Sequence, residues 1–200
     1  MIKAPPLPPV VQAGHPVLRA AAELVDPARL GSPEVQALVQ AMIAVMRAAP
    51  GVGLAAPQIG VGLQVIVLED AEALMSRLTP AERAARGRVP YPLQVLINPT
   101  LTPIGAERAT FFEGCLSVKG YMALVERALE VEVSGLDEHG KEITVRVSGW
   151  PARILQHEVD HLRGILYVDR MLTRTFCCNE EAPRWISLPA SETREKLGAG

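Results

Sequence analysis

Apolar positions recur at helical spacing between residues 33 and 48, where Val35, Leu38, Val39, Met42, Ile43 and Met46 share one face of a 3.6-residue period. Ser32 supplies an N-cap, Pro33 suits the first turn, and Pro50-Gly51 ends the helix. Two short β-branched runs, LQVIVLE at 63–69 and LQVLIN at 93–98, predict strands. From 121 to 147 polar and apolar residues alternate, as ALVERALEVEVSG, then a polar DEHGK turn, then EITVRVSG, which predicts a hairpin. A second helix is predicted over 151–163, with Pro151 at its start and Gly164 at its stop. The remainder lacks a strong period. It comprises a Pro-rich arm over 1–13 that becomes ordered near Gly14-His15-Pro16, a surface excursion with some helix over 71–90, and a loosely packed tail over 177–200. No internal repeat is present, and the expectation is a single α+β domain spanning 1–200, its short antiparallel strands packed around a central helix.

Composition narrows the function classes. A 200-residue chain that is 48% hydrophobic can bury one real core. Its 20 basic and 22 acidic side chains nearly cancel, which argues against holding nucleic acid or a membrane surface by bulk charge. Aromatic residues, at 4%, are too few for base-stacking platforms. No apolar run approaches the roughly 18 residues needed to span a bilayer. The cysteines, Cys115, Cys177 and Cys178, are odd in number and two are adjacent, so no disulfide framework is expected and a reducing compartment fits. The N-terminus shows neither a signal-peptide core nor a transit-peptide pattern, so a cytoplasmic location is expected, the alternative being a mature organellar protein without its transit peptide.

The predicted second helix contains His157-Glu158-Val159-Asp160-His161, an HExxH. Histidines four apart lie on one helical face and can grip one metal ion, while the glutamate between them sits to the side, placed to take a proton from water. The competing reading is a charged helix face with incidental histidines. Two histidines need a third protein ligand. No histidine follows His161, and the next acid, Asp169, lies beyond the helix end. Upstream, Cys115 in Glu113-Gly114-Cys115-Leu116-Ser117 is a candidate thiolate, although taken alone it suits a buried free cysteine better. A third stretch, Gly51-Val52-Gly53-Leu54-Ala55-Ala56-Pro57-Gln58-Ile59-Gly60, matches the dinucleotide fingerprint in its first six letters. It follows a helix instead of a strand, and Pro57 would break the helix it must open, so that reading fails. A close-approaching backbone ending in Gln58 suits an extended peptide or a small carbonyl, and equally a plain Gly-rich turn.

Together GVGLAAPQIG, EGCLS and QHEVDHLRG resemble the three signature motifs of the peptide deformylases, in order, and the likeness extends from about Gly14 to Phe176. The resemblance implies an enzyme that removes the formyl group from the N-terminal formyl-methionine of newly synthesised polypeptides and releases formate. It implies metal ligands Cys115, His157 and His161, with Glu158 as general base and then general acid. It also implies that Gln58 and the Leu116 N–H polarise the formyl oxygen, that Gly53 lines the cleft, and that Glu113 and Arg127 form an ion pair supporting the cysteine loop. The implied cofactor is one divalent metal ion, Fe²⁺ as the native metal with Zn²⁺, Ni²⁺ or Co²⁺ accepted, and the implied partners are formylated nascent peptides at the ribosome exit. Recognition of methionine needs an apolar pocket, for which Val52, Leu54 and Ile154 are the candidates. An endopeptidase using the same HExxH would want a ligand after His161, and a metal-binding module without turnover would dispense with Glu158 or Gln58. After His161 the sequence offers no histidine and no acid before Asp169, beyond the helix end, and it keeps both Glu158 and Gln58.

Overall fold

The first apolar stripe folds as helix α1 (Pro33–Ala48), capped by Ser32 Oγ accepting from Val35 N–H at 3.4 Å. In this computed structural model, which describes residues 6–76 and 78–199, α1 leads into strands β1 (Gly53–Ala55) and β2 (Val65–Asp70). A short helix, α2 (Pro80–Arg86), precedes β3 (Tyr91–Cys115), β4 (Val118–Leu136) and β5 (Glu142–Ser148). Helix α3 (Gly149–Leu162) follows, and the chain closes with β6 (Cys177–Cys178), α4 (Pro183–Ile186) and α5 (Ala190–Leu197). The strands form one antiparallel sheet in the order β1-β2-β3-β4-β5, with β6 on β4.

Side chains alternate across β2, and both faces are covered. Val65 and Val67 join α1, Leu54 and Ile97 in one cluster, whereas Ile66 and Leu68 join Leu155, Val159 and Val131 under α3. Burial on both faces explains why this strand is written as an unbroken apolar run. α3 packs against β1 to β5 and occupies the middle of the molecule, as expected of the helix carrying HExxH.

Three expectations need correction. First, β3 reaches from Tyr91 to Cys115, far beyond the predicted 93–98. Beyond residue 98 it mixes exposed and half-buried positions and carries Pro99, Pro103 and Gly105, so the local pattern is weak. Pairing with β4 makes the strand, and register shifts at Ile97/Thr100 and Ile104/Arg108 absorb the breaks. Second, the tail over 177–200 is not loose among its described residues. β6 pairs Tyr121 with Cys178 and Met122 with Cys177, and Arg174 Nε donates to Leu197 O at 2.7 Å. Third, Leu54 is fully buried on the α1 face of β1 and is not in the wall of the cavity that Val52, Gly53 and Ile154 line, because its neighbours on the strand take the opposite face.

The excursion over 71–90 is partly helical, as expected, and also attached. Met75 is fully buried, and Arg88 makes a bidentate pair with Asp70 at 2.8 and 2.9 Å. Gly87 O accepts from Trp150 N–H at 3.4 Å, so the excursion touches the first turn of α3. Residues 1–5 of the arm lie outside the described residues; the rest has no regular structure until the 3₁₀ turn Pro16–Arg19.

Candidate active site

Trp150, Ile154, His157 and His161 are spaced by four, three and four residues, which puts them on one face of α3. The two imidazole rings lie with centroids 5.0 Å apart and planes at 75°. The hairpin between β3 and β4 brings Cys115 onto them, with Sγ 3.3 Å from His161 Nε2. Ligand atoms of Cys115, His157 and His161 all fall within 4.8 Å of one another. Donors on one tetrahedral ion lie about 3.3–3.8 Å apart, given metal–nitrogen and metal–sulfur bonds of about 2.0–2.3 Å. One soft sulfur and two imidazole nitrogens therefore suit a single divalent transition metal.

The environment prepares these groups. His157 Nδ1–H donates to Glu113 Oε2 at 3.0 Å, which fixes its ring and leaves Nε2 for a ligand. Burial works against a charged His157, but Cys115 and Glu113 outweigh it and raise its pKa well above the usual value; positive charge is favoured at this point. His161 is driven the other way, by burial and by repulsion from His157 and Arg127, and so keeps a neutral ring with a lone pair. Glu113 would be raised by burial, yet hydrogen bonds from His157 and Arg127 hold it well below the usual carboxylate range.

Glu158 is only 4% exposed, and burial pushes its carboxyl up to about 7. Its Oε1 lies so close over Gly53 that a Cβ there would stand 2.3 Å away. Glu158 Oε2 is buried with no hydrogen-bond partner among the described residues, an acceptor free for reacting groups. Gln58, also buried, has its amide oriented by the chain itself. Ala55 N–H donates to Oε1 at 2.9 Å, so Nε2 turns toward Ser117 Oγ at 3.3 Å and Cys115 Sγ at 3.5 Å.

These groups open onto a cavity of about 310 Å³ whose walls include Val52, Gly53, Leu116 and Ile154. Of the residues picked out from the sequence for the site, Leu54 stands outside this wall, and His161, also outside it, reaches the site through the ligand group it forms with Cys115 and His157. A buried acidic and basic carboxyl next to a three-donor metal cradle, with an amide N–H aimed at the same point, can activate water and meet negative charge on a carbonyl oxygen.

Comparison with known proteins decides the family. The polypeptide deformylase family model matches residues 7–176. The chain belongs to that family. It is 51% identical over 192 residues to peptide deformylase 1A, chloroplastic, of Solanum lycopersicum, covering 96% of this chain and 68% of that protein. It is 48% identical over 179 residues to the mitochondrial peptide deformylase of Homo sapiens, covering 88% of this chain and 74% of that protein. The fold is similar to the class I type b peptide deformylase of Acinetobacter baumannii, crystallised with Met-Ala-Ser, at a TM-score of 0.71 and 36% identity. That match covers 82% of this chain and 97% of that one.

Several deformylase-site residues were not picked out from the sequence. Trp150 and Phe112 join the cavity wall, and the Arg88 guanidinium lies 5.3 Å from the Trp150 ring. Trp150 was discoverable, since it stands two helical turns before His157. Arg153 Nη1 donates to Glu113 Oε1 at 2.6 Å, and Arg127 bridges Glu113 to Asp160, which makes the expected Glu113–Arg127 pair part of a buried network. Tyr167 lies 6.4 Å from His157, ring over ring. The arm also reaches the site. Val11 N–H donates to Gln58 O and Ala13 N–H to Ser117 O, both at 2.8 Å, and Gln12 Nε2 donates to Leu116 O at 3.0 Å.

Proposed function

We propose that Cys115, His157 and His161 hold the catalytic metal and that Glu158, Gln58, Leu116 and Gly53 carry out the removal of formate from N-terminal formyl-methionine. The enzyme is a metal-dependent deformylase of peptide N-termini, and the observation that supports these roles is the placing of Glu158 over Gly53 beside the Cys-His-His cradle. When bound, the divalent metal supplies Lewis acidity toward the formyl oxygen and makes water more acidic. Glu158 takes a proton from the attacking water, a task suited to a carboxyl raised to about 7. As the formyl carbon becomes tetrahedral its oxygen gains negative charge, which Gln58 Nε2–H and the Leu116 N–H meet. Glu158 then returns the proton to the departing amine, and formate and a free N-terminus result. The methionine side chain lies against Val52, Ile154, Trp150 and Phe112, apolar neighbours in the cavity wall.

Fe²⁺ is our choice of native metal, since a mixed sulfur and imidazole set accepts it alongside Zn²⁺, Ni²⁺ and Co²⁺. Formylated nascent chains leaving a ribosome, in the cytoplasm, are the proposed setting. Formate release from formyl-Met-Ala-Ser by anaerobic, Fe²⁺-loaded protein, with an unformylated internal peptide as control, tests the whole reading. Formate with an intact control is expected; cleavage of the control without formate would make the protein an endopeptidase.

A further inference from the structure

A second cavity, of about 220 Å³, lies on the side of α3 turned away from the two histidines and shares no lining residue with the cleft. Gln156, Val159 and Asp160, with Arg163 at the C-cap, line it at spacings of three, one and three residues, which is one helical face. The facing wall is the β3–β4 pair on either side of the register shift between Ile104 and Arg108. The Gln156 carboxamide holds the two walls together, with Nε2 donating to Ala128 O at 2.9 Å and Oε1 accepting from Ala128 N–H at 3.0 Å.

The lining is basic in a chain whose net charge is −2. Four guanidinium groups, of Arg108, Arg127, Arg163 and Arg170, meet two carboxylates, of Glu126 and Asp160, an excess of two positive charges. Asp160 is already engaged, since Arg127 donates to it and Arg170 forks onto it at 2.6 and 2.7 Å. Arg108 Nη1 reaches only the carbonyl oxygens of Gly105 and Glu107. Arg163 donates its backbone N–H to Asp160 O at 2.9 Å, but its guanidinium has no partner among the described residues. The donors left over belong to arginines on separate elements that converge on one cavity, and paired guanidinium N–H groups are the complement of an oxyanion.

We propose that this cavity is a binding site for a doubly charged phosphate, as the free ion or as the monoester end of a small molecule. A phosphate monoester carries about −1.5 to −2 at pH 7 and three acceptor oxygens, which matches the excess charge and the unused donors of Arg108 and Arg163. A carboxylate, singly charged, leaves half of that excess unbalanced. The volume lies below the about 300–1,000 Å³ of pockets for drug-sized ligands, so the occupant has few atoms. Glu126, exposed at the rim, opposes the anion and limits its affinity. The site is independent of the deformylase reading, because it uses neither the metal cradle nor the cleft.

Calorimetric titration of metal-loaded protein with inorganic phosphate, and in parallel with glycerol 3-phosphate, tests the site at fixed pH and ionic strength. One equivalent should bind, and acetate, the singly charged control, should bind about 10-fold more weakly. The tighter of the two phosphates identifies the source, free ion or ester. Arg163→Ala and Arg108→Ala, both at exposed positions, should each weaken phosphate about 10-fold, the loss of one charge-assisted hydrogen bond, with formate release from formyl-Met-Ala-Ser unchanged. Glu126→Gln should tighten phosphate several-fold by removing the opposing charge. Absence of saturable binding, or acetate binding as well as phosphate, overturns the site. An affinity unaltered by both arginine substitutions puts the phosphate on the catalytic metal and overturns it too. Should formate release fall in the arginine variants, Glu126→Gln decides, and an affinity unchanged by it overturns the site.

Discussion

Glu158 shows how one residue's proposed function and its effect on stability oppose each other. Burial raises its carboxyl to about 7 from an ordinary 4.5, so the fold favours the protonated form. That contribution to stability is complete below about pH 4.5 and is lost as pH rises through 7. Metal-free Glu158→Gln should therefore melt higher than the unaltered protein at pH 8 and about equally at pH 4, read by calorimetry. The same substitution in metal-loaded protein should lower kcat by about 10²- to 10⁴-fold with metal content unchanged; normal turnover would remove Glu158 from the mechanism. Gly53 is constrained by the same carboxylate. Gly53→Ala puts a methyl 2.3 Å from Oε1, so Glu158 must swing away. The expected result is a kcat loss approaching that of Glu158→Gln while the metal stays bound, and full activity would show that the carboxylate has another productive position.

At the scale of elements, the contact between the β3–β4 hairpin and α3 combines an apolar cluster with a buried charge network. Glu113 on β3 accepts from Arg127 on β4 and from Arg153 and His157 on α3, and Arg127 continues to Asp160. All but His157 are at most 6% exposed. Replacing Glu113 with glutamine leaves buried guanidinium groups without their anion, which costs about 3–5 kcal/mol. Because the folded-state pKa of Glu113 is depressed, the stability it confers is present above its unfolded value near 4.5 and declines as pH falls below that. The difference in melting temperature between the unaltered protein and Glu113→Gln should hence shrink from pH 6 to pH 3. A difference independent of pH would mean that the carboxylate is not what the arginines hold. HExxH announces a site on α3, but the charged groups that brace His157 through Glu113 come from three elements, and no local spacing reveals that Arg153 and Asp160 belong with them.

Across the whole molecule, the arm and the tail converge on the loops that carry Gln58, Cys115 and Tyr121. Gln12 joins the Leu116 carbonyl at 3.0 Å and accepts from Lys119 N–H at 3.3 Å, holding the hairpin that carries the N–H proposed to meet the formyl oxygen. Gln12→Ala should cost about 0.5–1.5 kcal/mol and lower kcat several-fold, because the Leu116 N–H is less well aimed. Unchanged kcat with a lower melting temperature would leave the arm a purely structural brace.

The sequence by itself determined the helices α1 and α3, the β2 strand, the β4–β5 hairpin and, through its motifs, the choice of Cys115, His157 and His161 as the candidate ligand group. These features are written in local periodicity, or in motifs whose chemistry demands particular residue types. Tertiary structure decided the rest. β3 is long because β4 supplies hydrogen bonds along it, not because its residues beyond 98 have a strand pattern. Leu54 lies in the core because strand alternation, once β1 is placed between α1 and α3, leaves it no path to the cavity. The tail is a wall of the cleft because Cys177 and Cys178 of β6 meet Met122 and Tyr121, far earlier in the chain, an encounter that only the folded backbone can bring about.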